Sequence, residues 1–71
     1  NNPINEISFN VKSIEQIQEI SKFLIQDGKT QITFNLSTKD KILNFRLKKP
    51  MNLDRKSLNL LRKQQIQGEI S

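Results

Sequence analysis

Three short runs in this chain alternate apolar and polar residues with a period of two. Ile7, Phe9 and Val11 are interleaved with Glu6, Ser8 and Asn10, and Ile32, Phe34 and Leu36 with Gln31, Thr33, Asn35 and Ser37. Leu43, Phe45 and Leu47 are likewise interleaved with Ile42, Asn44, Arg46 and Lys48. Successive side chains of an extended chain point to opposite faces, so each run reads as a strand with one apolar and one polar side. A chain with three such runs is expected to build a sheet that is covered on one face only.

The segment between the first two runs has a different period. Ile14, Ile17, Ile20, Leu24 and Ile25 recur three to four residues apart, with Phe23 at the border and Glu15, Gln18, Glu19 and Lys22 on the other side. This spacing predicts an amphipathic helix. Ser13 is its N-cap, with Gln16 three residues on as a capping box, and Gly28 of the Asp27-Gly28 pair is the expected left-handed stop. Thr38-Lys39-Asp40 turns the chain between the second and third strands, which predicts a hairpin. Pro50 ends the third strand. Asp54 reads as the N-cap of a second helix, with Leu53 and Leu58 as a hydrophobic staple. Leu58 and Leu61 face its core, Leu60 lies near the edge, and Arg55, Lys56, Arg62 and Lys63 face water. Ile66, Gly68 and Ile70 offer a short fourth strand.

The order is β-α-β-β-α-β, an α+β chain. Its simplest closed form is a small two-layer sandwich with a ferredoxin-like split βαβ topology. Both helices would then cover one face of a four-stranded antiparallel sheet. Residues 1–5 read as a linker and residues 6–71 as one small α/β binding domain. The chain starts at Asn1 rather than Met and is expected to be a fragment of a larger protein, with a processed small protein as the alternative. Ten Ile, eight Leu, four Phe, Val11 and Met51 make its core. A core of that size rarely supplies more than about 3–5 kcal/mol.

The chemistry available is narrow. Cysteine and histidine are absent, which removes disulfides, thiolate ligands, the commonest metal ligand and the commonest general base. Glu15 and Glu19 are helix neighbours on a solvated face, and Asp27 and Asp54 sit at expected helix ends. The serines have no histidine to activate them. Gly28 and Gly68 are the only glycines, too few for a phosphate loop. The domain alone is therefore read as non-enzymatic, with no cofactor and no metal. No apolar run reaches the length of a membrane span. Charge is uneven: nine of the twelve basic residues lie in Lys39–Lys63, with only Asp40 and Asp54 against them. That invites an acidic partner, nucleic acid or protein. Base stacking on the sheet is not expected, because Phe9, Phe34 and Phe45 all fall on the apolar side.

The runs IQEISKFLIQDGKTQITFNL, KILNFRL and SLNLLRKQQIQGEI place Gly28 after a helix, then Ile32, Phe34 and Leu36, then Leu43, Phe45 and Leu47, then Leu58, Leu61 and Ile70. This pattern covers nearly the whole chain. It resembles the extreme C-terminal domain of the alpha subunit of bacterial DNA polymerase III, the replicative polymerase. Two places depart from that family. Lys49-Pro50-Met51 stands where the family often has an aromatic residue, and Gln64-Gln65 where it often has Gly. The resemblance implies a cytoplasmic domain, monomeric in isolation, that docks the polymerase to the tau subunit of the clamp loader. It also implies a contact at the C-terminal end, on Ile66, Glu69 and Ile70, with Arg62 and Lys63 beside them. The rival expectations are nonspecific nucleic-acid binding, and a regulatory or self-association domain of an unrelated protein.

Overall fold

The computed structural model describes residues 4–71, so the first three residues of the expected linker lie outside the described residues. The elements are β1 (Glu6–Val11), α1 (Ile14–Ser21), β2 (Ile25–Ser37), β3 (Ile42–Arg46), β4 (Met51–Asn52), α2 (Arg55–Lys63) and β5 (Gly68–Ile70). They form an α+β domain with two helices on a five-stranded mixed sheet.

The alternating runs become strands, as their period requires. Ile7, Phe9 and Val11 of β1 and Ile32, Phe34 and Leu36 of β2 are buried. They share one core with Ile20 of α1, with Leu58 and Leu61 of α2, and with Leu53 and Ile66. Both helices therefore lie on the same side of the sheet. Phe9 and Phe34 are register partners whose rings stack with centroids 6.0 Å apart.

The main path of the sheet runs β3-β2-β1-β5. Here the pairing differs from the expected split arrangement. β1 pairs directly with β2, in parallel, from Glu6↔Gln31 to Val11↔Leu36. No strand is inserted between them, and the sheet is mixed rather than all antiparallel. The β2–β3 hairpin is antiparallel as expected, with Phe34 opposite Phe45. Its turn is held by Thr38, whose N–H donates to the Lys41 carbonyl at 2.8 Å. The Thr38 hydroxyl in turn accepts from the Lys41 N–H at 3.1 Å.

The first helix is shorter than its apolar spacing suggests. Ser13 caps it, accepting from the Gln16 N–H at 3.2 Å, while the Gln16 side chain accepts from the Lys12 N–H at 2.6 Å. The helix ends at Ser21, whose hydroxyl donates back to the Ile17 carbonyl at 2.8 Å. Such back-bonding weakens a helix at that turn. Phe23 and Leu24 close it with N–H bonds three residues back, to Ile20 and Ser21. Ile14, expected on the core face, is 52% exposed at the first turn.

Gly28 is not the helix stop. It lies inside β2, and Asp27 is the residue with a left-handed φ, of 67°. The need for glycine comes from close approach, because a Cβ at Gly28 would overlap the backbone of Met51 and Asn52. Those two residues form β4, which pairs with the irregular first part of β2. Ile4 and Asn5, read as linker, are tied to β2 as well. The Ile4 carbonyl accepts from the Thr30 hydroxyl at 2.6 Å, and the Asn5 carbonyl from the Gln31 N–H at 2.8 Å.

Candidate functional site

The second helix delivers the first two expected contact residues. Asp54 caps it, accepting from the Ser57 N–H at 2.8 Å. That bond, received by a carboxylate, holds the Asp54 carboxyl below its usual range. Leu58 and Leu61 turn inward, which leaves Arg62 and Lys63 exposed on the last turn. Cations there oppose the negative end of the helix dipole.

The helix then closes with a Schellman motif. The Ile66 N–H donates to the Leu61 carbonyl at 3.0 Å, and the Gln65 N–H to the Arg62 carbonyl at 2.9 Å. Gln65 takes the left-handed conformation, φ 64°. This motif ordinarily brings the residue after the left-handed position against the last inward residue of the helix. That residue here is Ile66, which is 5% exposed in the core beside Leu61. Ile66 is thus part of the core in this fold: the cap that ends the helix also swings its side chain inside.

β5 follows and pairs antiparallel with β1, with Gly68 opposite Phe9, Glu69 opposite Ser8 and Ile70 opposite Ile7. Gly68 is required because a Cβ would stand 2.8 Å from the Phe9 ring and 2.9 Å from the Ile7 side chain. Glu69 shares the open polar face with Ser8. Ile70 shares the helix side with Ile7, yet it is 50% exposed because β5 is the sheet edge. The Ser71 N–H donates to the Glu6 carbonyl at 3.0 Å. Antiparallel bonding alternates along a strand, so the N–H and C=O of Ile70 point outward from the sheet. Of the five expected contact residues, Arg62, Lys63, Glu69 and Ile70 are therefore at the surface. No hydrogen bond or ion pair joins any two of their side chains among the described residues.

The open face is polar throughout its centre. Asn10, Asn35 and Asn44 form one row across β1, β2 and β3. The Asn35 amide donates to Asn10 and to Ser8 at 3.1 Å each, and Asn44 donates to Asn35. Arg46 and Glu6 approach within 3.8 Å at one end. This face carries no aromatic ring. Phe45 is on the helix side, in line with Phe9 and Phe34, but it is 44% exposed rather than covered. Its strand lies at the edge, and it is absent from the shared core to which Leu43 and Leu47 belong in part. A single ring at a sheet edge is less than the two or three that stack bases in sheet-type RNA binders.

Two clefts flank β4. One, of about 290 Å³, is lined by Gln26, Asp27, Gly28, Lys49, Pro50 and Met51. The other, of about 430 Å³, opens beside Thr30 and the start of α2. Among the described residues, no group of three or more carboxylates is placed to hold a metal ion, and no helix is long and apolar enough to cross a membrane. Searches of family models, curated proteins and solved structures found nothing that matches this chain.

Proposed function

We propose that this chain is a non-catalytic docking domain of a replicative DNA polymerase III alpha subunit, and that its C-terminal end binds the tau subunit of the clamp loader. The reading rests on the resemblance of its core pattern to that family. The observation that carries it is the free edge of β5, where a half-exposed Ile70 stands beside outward backbone groups. An apolar anchor of this kind supplies affinity once it is desolvated by a partner. Arg62 and Lys63, on the last turn of α2, supply steering, which acts on the association rate more than on the final affinity.

The test is stopped-flow association with the purified C-terminal domain of tau. Arg62→Glu with Lys63→Glu slows association at low salt and leaves the fold intact. A wild-type chain that fails to bind tau at all overturns the reading. The second reading, nonspecific nucleic-acid binding, is favoured by the nine basic residues of Lys39–Lys63. It is recognised by steeply salt-dependent binding to single-stranded DNA with no binding to tau.

A further inference from the structure

The opposite edge of the sheet is also free, and it is better equipped than β5 to receive a strand. Among the described residues, β3 has β2 on one side and no strand on the other. The Thr38 N–H bonds the Lys41 carbonyl before the strand, and the Leu47 N–H bonds the Ile32 carbonyl at 3.0 Å after it. With the Leu36↔Leu43 and Phe34↔Phe45 pairs between them, the alternation of an antiparallel ladder turns Leu43, Phe45 and Leu47 toward β2. Ile42, Asn44 and Arg46 are left with their N–H and C=O groups pointing away from the sheet. The register from Ser37↔Ile42 to Thr33↔Arg46 is unbroken, so no bulge twists this edge out of reach.

Side chains along the same edge are exposed on both faces. Phe45 is 44% exposed on the helix side and Ile42 is 63% exposed on the polar side. Lys39, Lys41, Arg46, Lys48 and Lys49 are exposed along and around the strand; Asp40 is the one acid between residues 39 and 49, and Arg46 also approaches Glu6 of β1 within 3.8 Å. Charges at an edge commonly serve to prevent pairing with another copy. A second copy would bring the same five cations against them. The same arrangement attracts a segment of opposite sign.

We propose that the free edge of β3 binds an extended acidic segment of a partner protein as an added strand. Main-chain bonds to Ile42, Asn44 and Arg46 hold it, its apolar side chains pack beside Phe45, and its carboxylates lie near Arg46 and the flanking lysines. This is strand addition, in which backbone bonds give affinity and alternate side chains give selectivity. The inference stands on β3 alone and is independent of the tau reading, which concerns the far edge of the sheet.

The experiment uses the 71-residue chain and a fluorescein-labelled octapeptide that alternates glutamate with valine. Anisotropy at low salt gives the affinity, and amide hydrogen exchange gives the site. Binding is expected to slow exchange at the Ile42, Asn44 and Arg46 amides. Methylating alternate backbone nitrogens of the peptide, on the edge that faces the protein, leaves its charge unchanged and is expected to weaken binding at least tenfold. Lys41→Glu with Lys48→Glu is expected to weaken it similarly, with the unfolding transition unchanged. Equal binding of the methylated peptide overturns the proposal, because charge alone then accounts for the contact. Protection that maps to β5, or full displacement by an oligothymidylate with no change in β3 exchange, also overturns it.

Discussion

Replacing Ile70 by Ala, with Ile66→Ala as its counterpart, separates a contact residue from a structural one. The two isoleucines lie four residues apart and look equivalent in the sequence, but Ile66 is 5% exposed and Ile70 is 50% exposed. Truncating a well-buried isoleucine to Ala costs about 2–5 kcal/mol, the lost transfer energy plus the cavity left behind. Ile70 buries only half its surface within the chain. Full burial of such a side chain is worth about 1.5–3 kcal/mol, so its loss costs about 1 kcal/mol and opens no closed cavity. A small domain loses about 1 kcal/mol of stability per molar urea. Ile70→Ala should therefore lower the urea midpoint by about 1 M or less, and Ile66→Ala by about 2 M or more. Since a core of this size rarely supplies more than about 3–5 kcal/mol, the Ile66 variant should be near the limit of folding. Circular dichroism under urea reads both. The same two proteins are then titrated with the tau C-terminal domain. Ile70→Ala should weaken binding by more than its stability loss explains. If the two variants lose equal stability, Ile70 belongs to the core. If Ile70→Ala changes neither stability nor affinity, the β5 edge is not an anchor.

Gln65→Gly should stabilise the domain. The left-handed φ of Gln65 costs a residue with a Cβ about 1–2 kcal/mol, and the greater freedom of glycine in the unfolded chain returns about 0.5–1 kcal/mol of that. A net rise of up to about 1 kcal/mol in urea unfolding is expected; a fall would show that the Gln65 side chain itself holds the cap. Asp54 makes stability pH-dependent. Its folded pKa is lowered from 3.8, so its contribution is present above 3.8 and is lost as pH falls through the folded value. Urea midpoints of the parent and Asp54→Asn should differ near neutrality and converge in strong acid, and a difference that persists in acid refutes the assignment.

Much of the architecture is legible from periodicity. The strands β1 and β3 and the second half of β2 follow from alternation, and both N-caps follow from a polar residue placed before an apolar stripe. What periodicity assigns is a face, not its coverage. Phe45 lies on the apolar side as its spacing requires, but it stands at the edge of the sheet and remains half in water. The end of α1 was not legible for a different reason. Phe23, Leu24 and Ile25 fit a helical stripe as well as the start of a strand, and the choice was made by tertiary pairing of Ile25 with Asn52. Gly28 has the look of a cap and serves instead to let β4 approach. The direct β1–β2 pairing had no local signal, because neighbours in a sheet are selected by the whole chain. Ile66 was ambiguous until the left-handed turn at Gln65 fixed its direction, and a non-glycine residue gives little warning of such a turn. The exposed edges on which both proposals rest become visible only once the strand order is known.

The pairing of Ile7 with Ile70 ties together residues near the two ends of the described chain. Closing a loop of that length costs about 2 kcal/mol more in chain entropy than closing the short β2–β3 turn. Three residues of β5 make that closure. A partner that grips Ile70 also holds the strand in register, and its binding energy is shared with the fold. Affinity at that edge and resistance to unfolding then rise and fall together.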